Sequence, residues 1–161
     1  MRTARLSLLA GAFALALASV ASAQSGPDPC SLLTKAEIKA ALGVEIGDLS
    51  RNTQMNAAAG TLCDFTVGQI GAGGVAVRRL PDGQTPAQVR GEMQKRKVKT
   101  ADAPGLAPAG FFAYPGYGMV QAIGYKGGTE VIVQVMAMGM PEQKVREAAG
   151  SLAQTAIGRL K

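Results

Sequence analysis

The sequence predicts an α+β fold, an antiparallel sheet with helices packed on it. Three observations carry this: two capped helix starts far apart in the chain, a hairpin whose strands alternate on both sides of Gly127-Gly128, and a C-terminal amphipathic helix. The chain has 161 residues. It opens on Met1-Arg2-Thr3-Ala4-Arg5, followed by an apolar run from Leu6 to Val20 and the small residues Ala21-Ser22-Ala23. That order is the layout of a secretory signal peptide, with cleavage expected between Ala23 and Gln24. Residues 1–23 are therefore read as signal and 24–161 as one domain. The run is shorter than the ~20 residues of a spanning helix. No Cys follows it to accept a lipid, and Arg2 and Arg5 are not adjacent as a twin-arginine signal requires.

Taking 23 residues from 161 leaves 138, the size of a single domain. The signal holds two of the 17 cations and none of the 11 acids, so the remainder carries +4. A surplus that small favours solubility and does not point to nucleic acid. The two cysteines, Cys30 and Cys63, are too far apart for a CxxC redox or metal motif. In an oxidising compartment they read as one disulfide. The expected location is periplasmic or secreted, with no membrane span after signal removal.

The elements follow in order. Thr34 and Glu37 form a capping box, Leu33 can staple onto Ile38, and Gly43 stops a helix that reaches Leu42. Ser50 to Gly60 reads as a loop. Thr61 to Val67 alternates as a strand, with Cys63, Phe65 and Val67 on one face. Gly68 to Gly74 reads as a glycine-rich turn, and Gly74 to Leu80 as the next strand. Residues 71–76 match the letters of a dinucleotide fingerprint, but they precede a strand instead of opening a helix. Thr85-Pro86-Ala87-Gln88 starts a second helix, expected to reach Lys97. Thr100 to Ala109 reads as a loop, and Ala109 to Tyr114 as a short strand.

A turn at Gly127-Gly128 divides the last two strands into two faces. Gly118/Ala137, Val120/Val135, Ala122/Val133 and Gly124/Val131 make a small apolar face. Tyr117/Met138, Met119/Met136, Gln121/Gln134, Ile123/Ile132 and Tyr125/Glu130 make a mixed one. The final helix, from about Pro141 to Leu160, carries a stripe of Val145, Ala148, Ala149, Leu152, Ala153, Ala156, Ile157 and Leu160. Its alanines suit close approach to the small face.

Pro29-Cys30-Ser31-Leu32-Leu33-Thr34, the helix end Ala41-Leu42-Gly43, and Gly60-Thr61-Leu62-Cys63-Asp64-Phe65 resemble a domain-of-unknown-function family of small cell-envelope proteins, many of them actinobacterial lipoproteins. Pro104-Gly105-Leu106, Phe111-Phe112 and the closing helix extend the likeness over most of the chain after the signal. The resemblance implies a sandwich similar to PsbP-type domains. It brings no catalytic residues, and the lipid-accepting Cys of the lipoprotein members is absent.

The chain has no histidine, which removes Ser-His-Asp and Cys-His systems and most zinc and copper(II) sites. Acids are scattered, with no close pair beyond Glu45/Asp48, and no SxxK spacing occurs. The reading is therefore a non-enzymatic binding or interaction domain of the envelope, with no cofactor implied. The candidate ligand face is Tyr117, Met119, Gln121, Gln134, Met136 and Met138. A second feature is a run of cations, Arg90, Lys95, Arg96, Lys97 and Lys99, beside Arg78 and Arg79. It is either a solvated helix face or a docking patch for an anionic envelope component. Met136, Met138 and Met140 recur at period two and are expected to share a side, with Met119 opposite Met136. Thioethers bind Cu(I), so a Cu(I)-binding protein is one alternative and methionine core filling is its counterpart. A hydrolase or transferase acting on envelope material is the other alternative. Partners are expected to be an anionic envelope component or a protein, and not nucleic acid.

Overall fold

A computed structural model describes residues 27–52, 60–106 and 108–161. The expected cleavage after Ala23 lies outside these residues. The described residues fold as seven strands in one antiparallel sheet with three α-helices. A 3-10 turn, Pro29–Ser31, leads into α1, Lys35–Leu42. Then come β1 (Ser50–Asn52), β2 (Thr61–Val67), β3 (Gly71–Arg79), α2 (Pro86–Lys95), β4 (Lys99–Asp102), β5 (Phe111–Gly116), β6 (Met119–Lys126), β7 (Thr129–Met136) and α3 (Glu142–Gly158). The order across the sheet is β1-β2-β3-β7-β6-β5-β4. The expected α+β class is thus the observed one.

The helix starts form as their sequences dictate. In both capping boxes the threonine side chain accepts from the backbone three residues on, and Glu37 or Gln88 reaches back. Gly43 ends α1 in the left-handed region at φ 71°. α2 stops at Lys95, two residues short of the expected Lys97, which itself takes φ 62°. The β6–β7 hairpin has the expected register from Met119↔Met136 to Lys126↔Thr129, and Gly127 and Gly128 both take positive φ.

Three expectations need correction. Ser50–Asn52 and Lys99–Asp102 are strands, not loop; they are the two edges of the sheet. Edge strands can be short and polar because only one side must pair, which erases the apolar alternation. The glycine run is also strand: β3 begins at Gly71, leaving 68–70 as the turn. Its glycines answer to packing. A Cβ on Gly73 would lie 2.2 Å from Cε2 of Phe65, whose ring crosses from β2. The third correction concerns the end of β7. The ladder begins at Met119↔Met136, so Tyr117/Met138 and Gly118/Ala137 are not paired; Tyr117, Gly118 and Met138 lie in turns and Ala137 just past the end of β7.

α1 and α3 cover one face of the sheet. There Phe65, Val67, Val75, Val77, Val120, Ala122, Val131, Val133 and Val135 are buried with Ile38, Leu42 and the α3 stripe. The close approach of α3 is set at Gly124, where a Cβ would fall 2.2 Å from Cδ1 of Ile157. The disulfide Cys30–Cys63 (Cα–Cα 5.1 Å) ties the N-terminal turn to β2. With a sequence separation of 33, its loop closure stabilises the fold by about 3–4 kcal/mol. No helix among the described residues is long and apolar enough to cross a membrane.

Candidate functional site

The second face of the sheet is built in rows that the register fixes. From β3 through β7 to β6, one row is Ala72, Met136 and Met119; the next is Gly74, Gln134 and Gln121; the next is Ala76, Ile132 and Ile123. The last row is Arg78, Glu130 and, through β6, Tyr125. α2 lies over the later rows on the β5–β6 side. Val89 is buried with Phe111, Ala113, Ile123 and Tyr125, and Met93, Val98 and Ile132 pack around them. Among the described residues the mixed face is therefore covered at its Tyr125–Ile123 end and bare at its Met119–Met136 end on the β3–β7 side, while α2 runs on along the β4–β5 side.

Under the covered end sits the fold's one buried charged group among the described residues. Glu130 is fully buried. Its carboxylate accepts the Tyr125 hydroxyl at 3.0 Å and is ion-paired with Nε of Arg78. Burial, and then the Glu130 charge, push the Tyr125 hydroxyl above its ordinary range, so it remains a donor. The hydrogen bond and charge of Glu130 raise Arg78. Each of the three side chains thus has a partner, and no buried side-chain N or O atom among the described residues lacks one. A satisfied network under a helix does structural work.

The bare end holds four of the six candidate face residues. Met119, Gln121, Gln134 and Met136 are all half-buried. Nε2 of Gln121 donates to Oε1 of Gln134 at 3.3 Å, so the two amides satisfy part of each other's demand. Beside this pair, on the β2 side of Gln134, a shallow cleft of about 370 Å³ is lined by Asp48, Ser50, Asp64, Thr66, Ala72, Met119, Gln134 and Met136. Asp64 accepts from the Asn52 amide at 2.7 Å, and Asp48 is paired with Lys35 at 2.9 Å. The Lys35 contact holds the Asp48 carboxyl below its ordinary value. Sequence reasoning misses Asp48, Ser50, Asp64 and Thr66, because β1 is short and polar, with no apolar alternation, and the β2–β3–β7 pairing is not local.

Tyr117 and Met138 stand apart from this cleft, exposed in turns. Met140 turns to the other side and packs against the α3 core. Met136, Met138 and Met140 thus do not share a side: the strand ends at Met136, and period two ends with it. Only Met119 and Met136 remain as facing thioethers. Among the described residues no three His, Cys, Asp or Glu side chains gather as a metal site.

The basic cluster divides. Arg90 is held inside the fold: it pairs with Asp102 at 2.7 Å, donates to Thr100, and lies over the Phe111 ring at 5.6 Å. Lys99 lies over the Tyr114 ring at 5.2 Å. Lys95, Arg96 and Lys97 are exposed and take part in no ion pair among the described residues. Comparison with family models, with curated proteins and with solved structures returns no match.

Proposed function

We propose that this chain is a non-catalytic binding domain of the cell envelope that uses the bare end of its mixed sheet face. The observation that carries the reading is the unequal covering of the sheet. Among the described residues α1 and α3 seal one face, whereas on the other α2 packs over Phe111, Ala113, Ile123 and Tyr125, and Met119, Gln121, Gln134 and Met136 lie outside that cluster. Amides, thioethers and hydroxyls side by side suit a ligand with both apolar and hydrogen-bonding parts. Among the described residues the rim carboxylates are each engaged, Asp64 by the Asn52 amide and Asp48 by Lys35. The signal-like N-terminus, the disulfide and the resemblance to small envelope proteins support the location.

The test is photocrosslinking in cells that export the protein. A photoreactive side chain at Gln121 should give a defined adduct. The same group at Gln143, exposed on α3 across the sheet, should not. No adduct from position 121, or equal adducts from both positions, overturns the reading.

A further inference from the structure

Three large apolar side chains are exposed among the described residues: Ile70 (67 %), Met138 (61 %) and Tyr117 (93 %). They come from three turns far apart in sequence. The register brings them level. Ala72, Met136 and Met119 form one row, and each exposed residue lies two positions beyond its member of that row, past the same end of the sheet. At ~4.8 Å per strand, the three tips, on adjacent strands, span about 10 Å. Tyr117 is presented by backbone that L-residues rarely adopt: it takes φ 54° between Gly116 and Gly118, both also at positive φ. The cations arrive at this end as well. α2 runs back toward it, and β4 starts from it with Lys99 opposite Tyr114, just before the Tyr117 turn. The uncommitted Lys95, Arg96 and Lys97, with Lys99, therefore flank the apolar tips on the β4 side. Acids are few here. Glu92 lies on α2 one turn before Lys95 and Arg96, Glu45 and Asp48 lie on the β2 side, paired with Lys39 and Lys35, and Glu142 stands at the start of α3.

From this geometry we infer that the end of the sheet bearing Ile70, Met138 and Tyr117 docks onto an anionic lipid bilayer. The tips enter the interface, and Lys95, Arg96, Lys97 and Lys99 meet the headgroups. Apolar tips at one end of the sheet, bordered by cations in no ion pair among the described residues, match both layers of such a surface, apolar below and anionic above. A soluble anionic polymer would account for the cations and leave the tips unexplained. A protein partner would account for the tips and give no reason for the one-sided charge. The inference rests on the envelope-binding reading and names a surface adjoining its cleft.

The experiment uses the exported protein and vesicles of phosphatidylcholine with phosphatidylglycerol, or of phosphatidylcholine alone. Co-sedimentation should favour the anionic vesicles by about tenfold or more and weaken as salt rises. Replacing Lys95, Arg96, Lys97 and Lys99 with Gln should lose about tenfold or more of that binding. Ile70→Ser with Met138→Ser and Tyr117→Asn should lose a similar factor at unchanged charge, Asn being tolerated at positive φ. The chain has no Trp, so single reporters are unambiguous. Ile70→Trp and Met138→Trp should shift their emission to the blue on anionic vesicles, while Asp82→Trp, in the turn at the opposite end, should not. Wild-type protein that ignores anionic vesicles overturns the assignment, as do equal shifts at all three reporters or full displacement by free glycerophosphoglycerol. Displacement by that soluble headgroup would identify a phosphate site in place of a bilayer. Each of these failures leaves the Gln121 crosslink standing as the separate test of the cleft.

Discussion

The Arg78–Glu130–Tyr125 network gives the strongest stability prediction. Glu130→Ala removes a fully buried carboxylate that holds two partners. Tyr125, itself buried, loses the acceptor for its hydroxyl, which costs about 1–3 kcal/mol. Arg78 loses its counter-charge. Breaking a buried ion pair from one side costs about 3–5 kcal/mol, but the Arg78 side chain is 31 % exposed and can recover some hydration. These terms overlap, so the expected loss is about 3–4 kcal/mol. Against a typical total of ~5–15 kcal/mol that is a large fraction. Urea unfolding at neutral pH should lower the midpoint by roughly 2 M at an m-value of about 2 kcal/mol/M. Glu130→Gln, which keeps an acceptor for Tyr125, should lose about half as much. Replacing the whole network together, by Arg78→Met, Glu130→Leu and Tyr125→Phe, should restore stability to within about 1 kcal/mol, because no polar group is then stranded. A Glu130→Ala loss below about 1 kcal/mol would refute the reasoning. So would an Arg78/Glu130 double-mutant cycle with a coupling below about 0.5 kcal/mol.

Other outcomes follow from the same contacts. Arg159 joins the Thr34 cap in holding Glu37 down to about 2, so this carboxylate contributes stability above its unfolded value near 4.5 and loses it as pH falls toward 2. With both side chains more than a third exposed, the contribution is discounted to about 1 kcal/mol, and Glu37→Gln should flatten the acid limb of a stability–pH curve by that amount. Gly73→Ala should cost about 1–3 kcal/mol in urea unfolding through its clash with Phe65. Gly91→Ala, on α2 with open space around it, should instead stabilise by about 0.5–1 kcal/mol. Titration with Cu(I) against a weak competitor should show no uptake, since Met140 faces the core; uptake abolished by Met119→Leu would reverse that conclusion.

What was legible in the sequence was local. Both capping boxes, the Gly43 stop, the Gly127-Gly128 hairpin and the α3 stripe are each set within a few residues, and each is observed where local chemistry puts it. The hairpin register even pairs Tyr125 with Glu130 from sequence alone. What was not legible depends on partners distant in the chain. Arg78 reaches Glu130 only because β3 joins β7 across 52 positions. Ser50 and Asp64 meet the hairpin face only once β1 and β2 extend the sheet beyond β3. The glycines of β3 read as a turn because glycine also marks turns; their reason for being in a strand is the Phe65 ring on the neighbouring one.

The two faces of the sheet differ in how they are closed, and that difference links stability to function. On the helix-covered face, small residues at Ala122 and Gly124 let α3 descend onto the strands, and little surface is left to bind anything. On the other face the polarity changes along each strand. Arg78, Tyr125 and Glu130 spend their polar groups on one another beneath α2. Two rows on, Gln121 and Gln134 bond each other but retain further donors and acceptors, and they lie outside the cluster under α2 among the described residues. Burying those amides under an apolar helix would strand that capacity at a cost of about 1–3 kcal/mol per unsatisfied group. A face built for a helix would carry residues like Ile123 and Ile132 through to its end. This one changes to amides, then thioethers, then exposed apolar tips, a gradient that fits contact with something outside the chain.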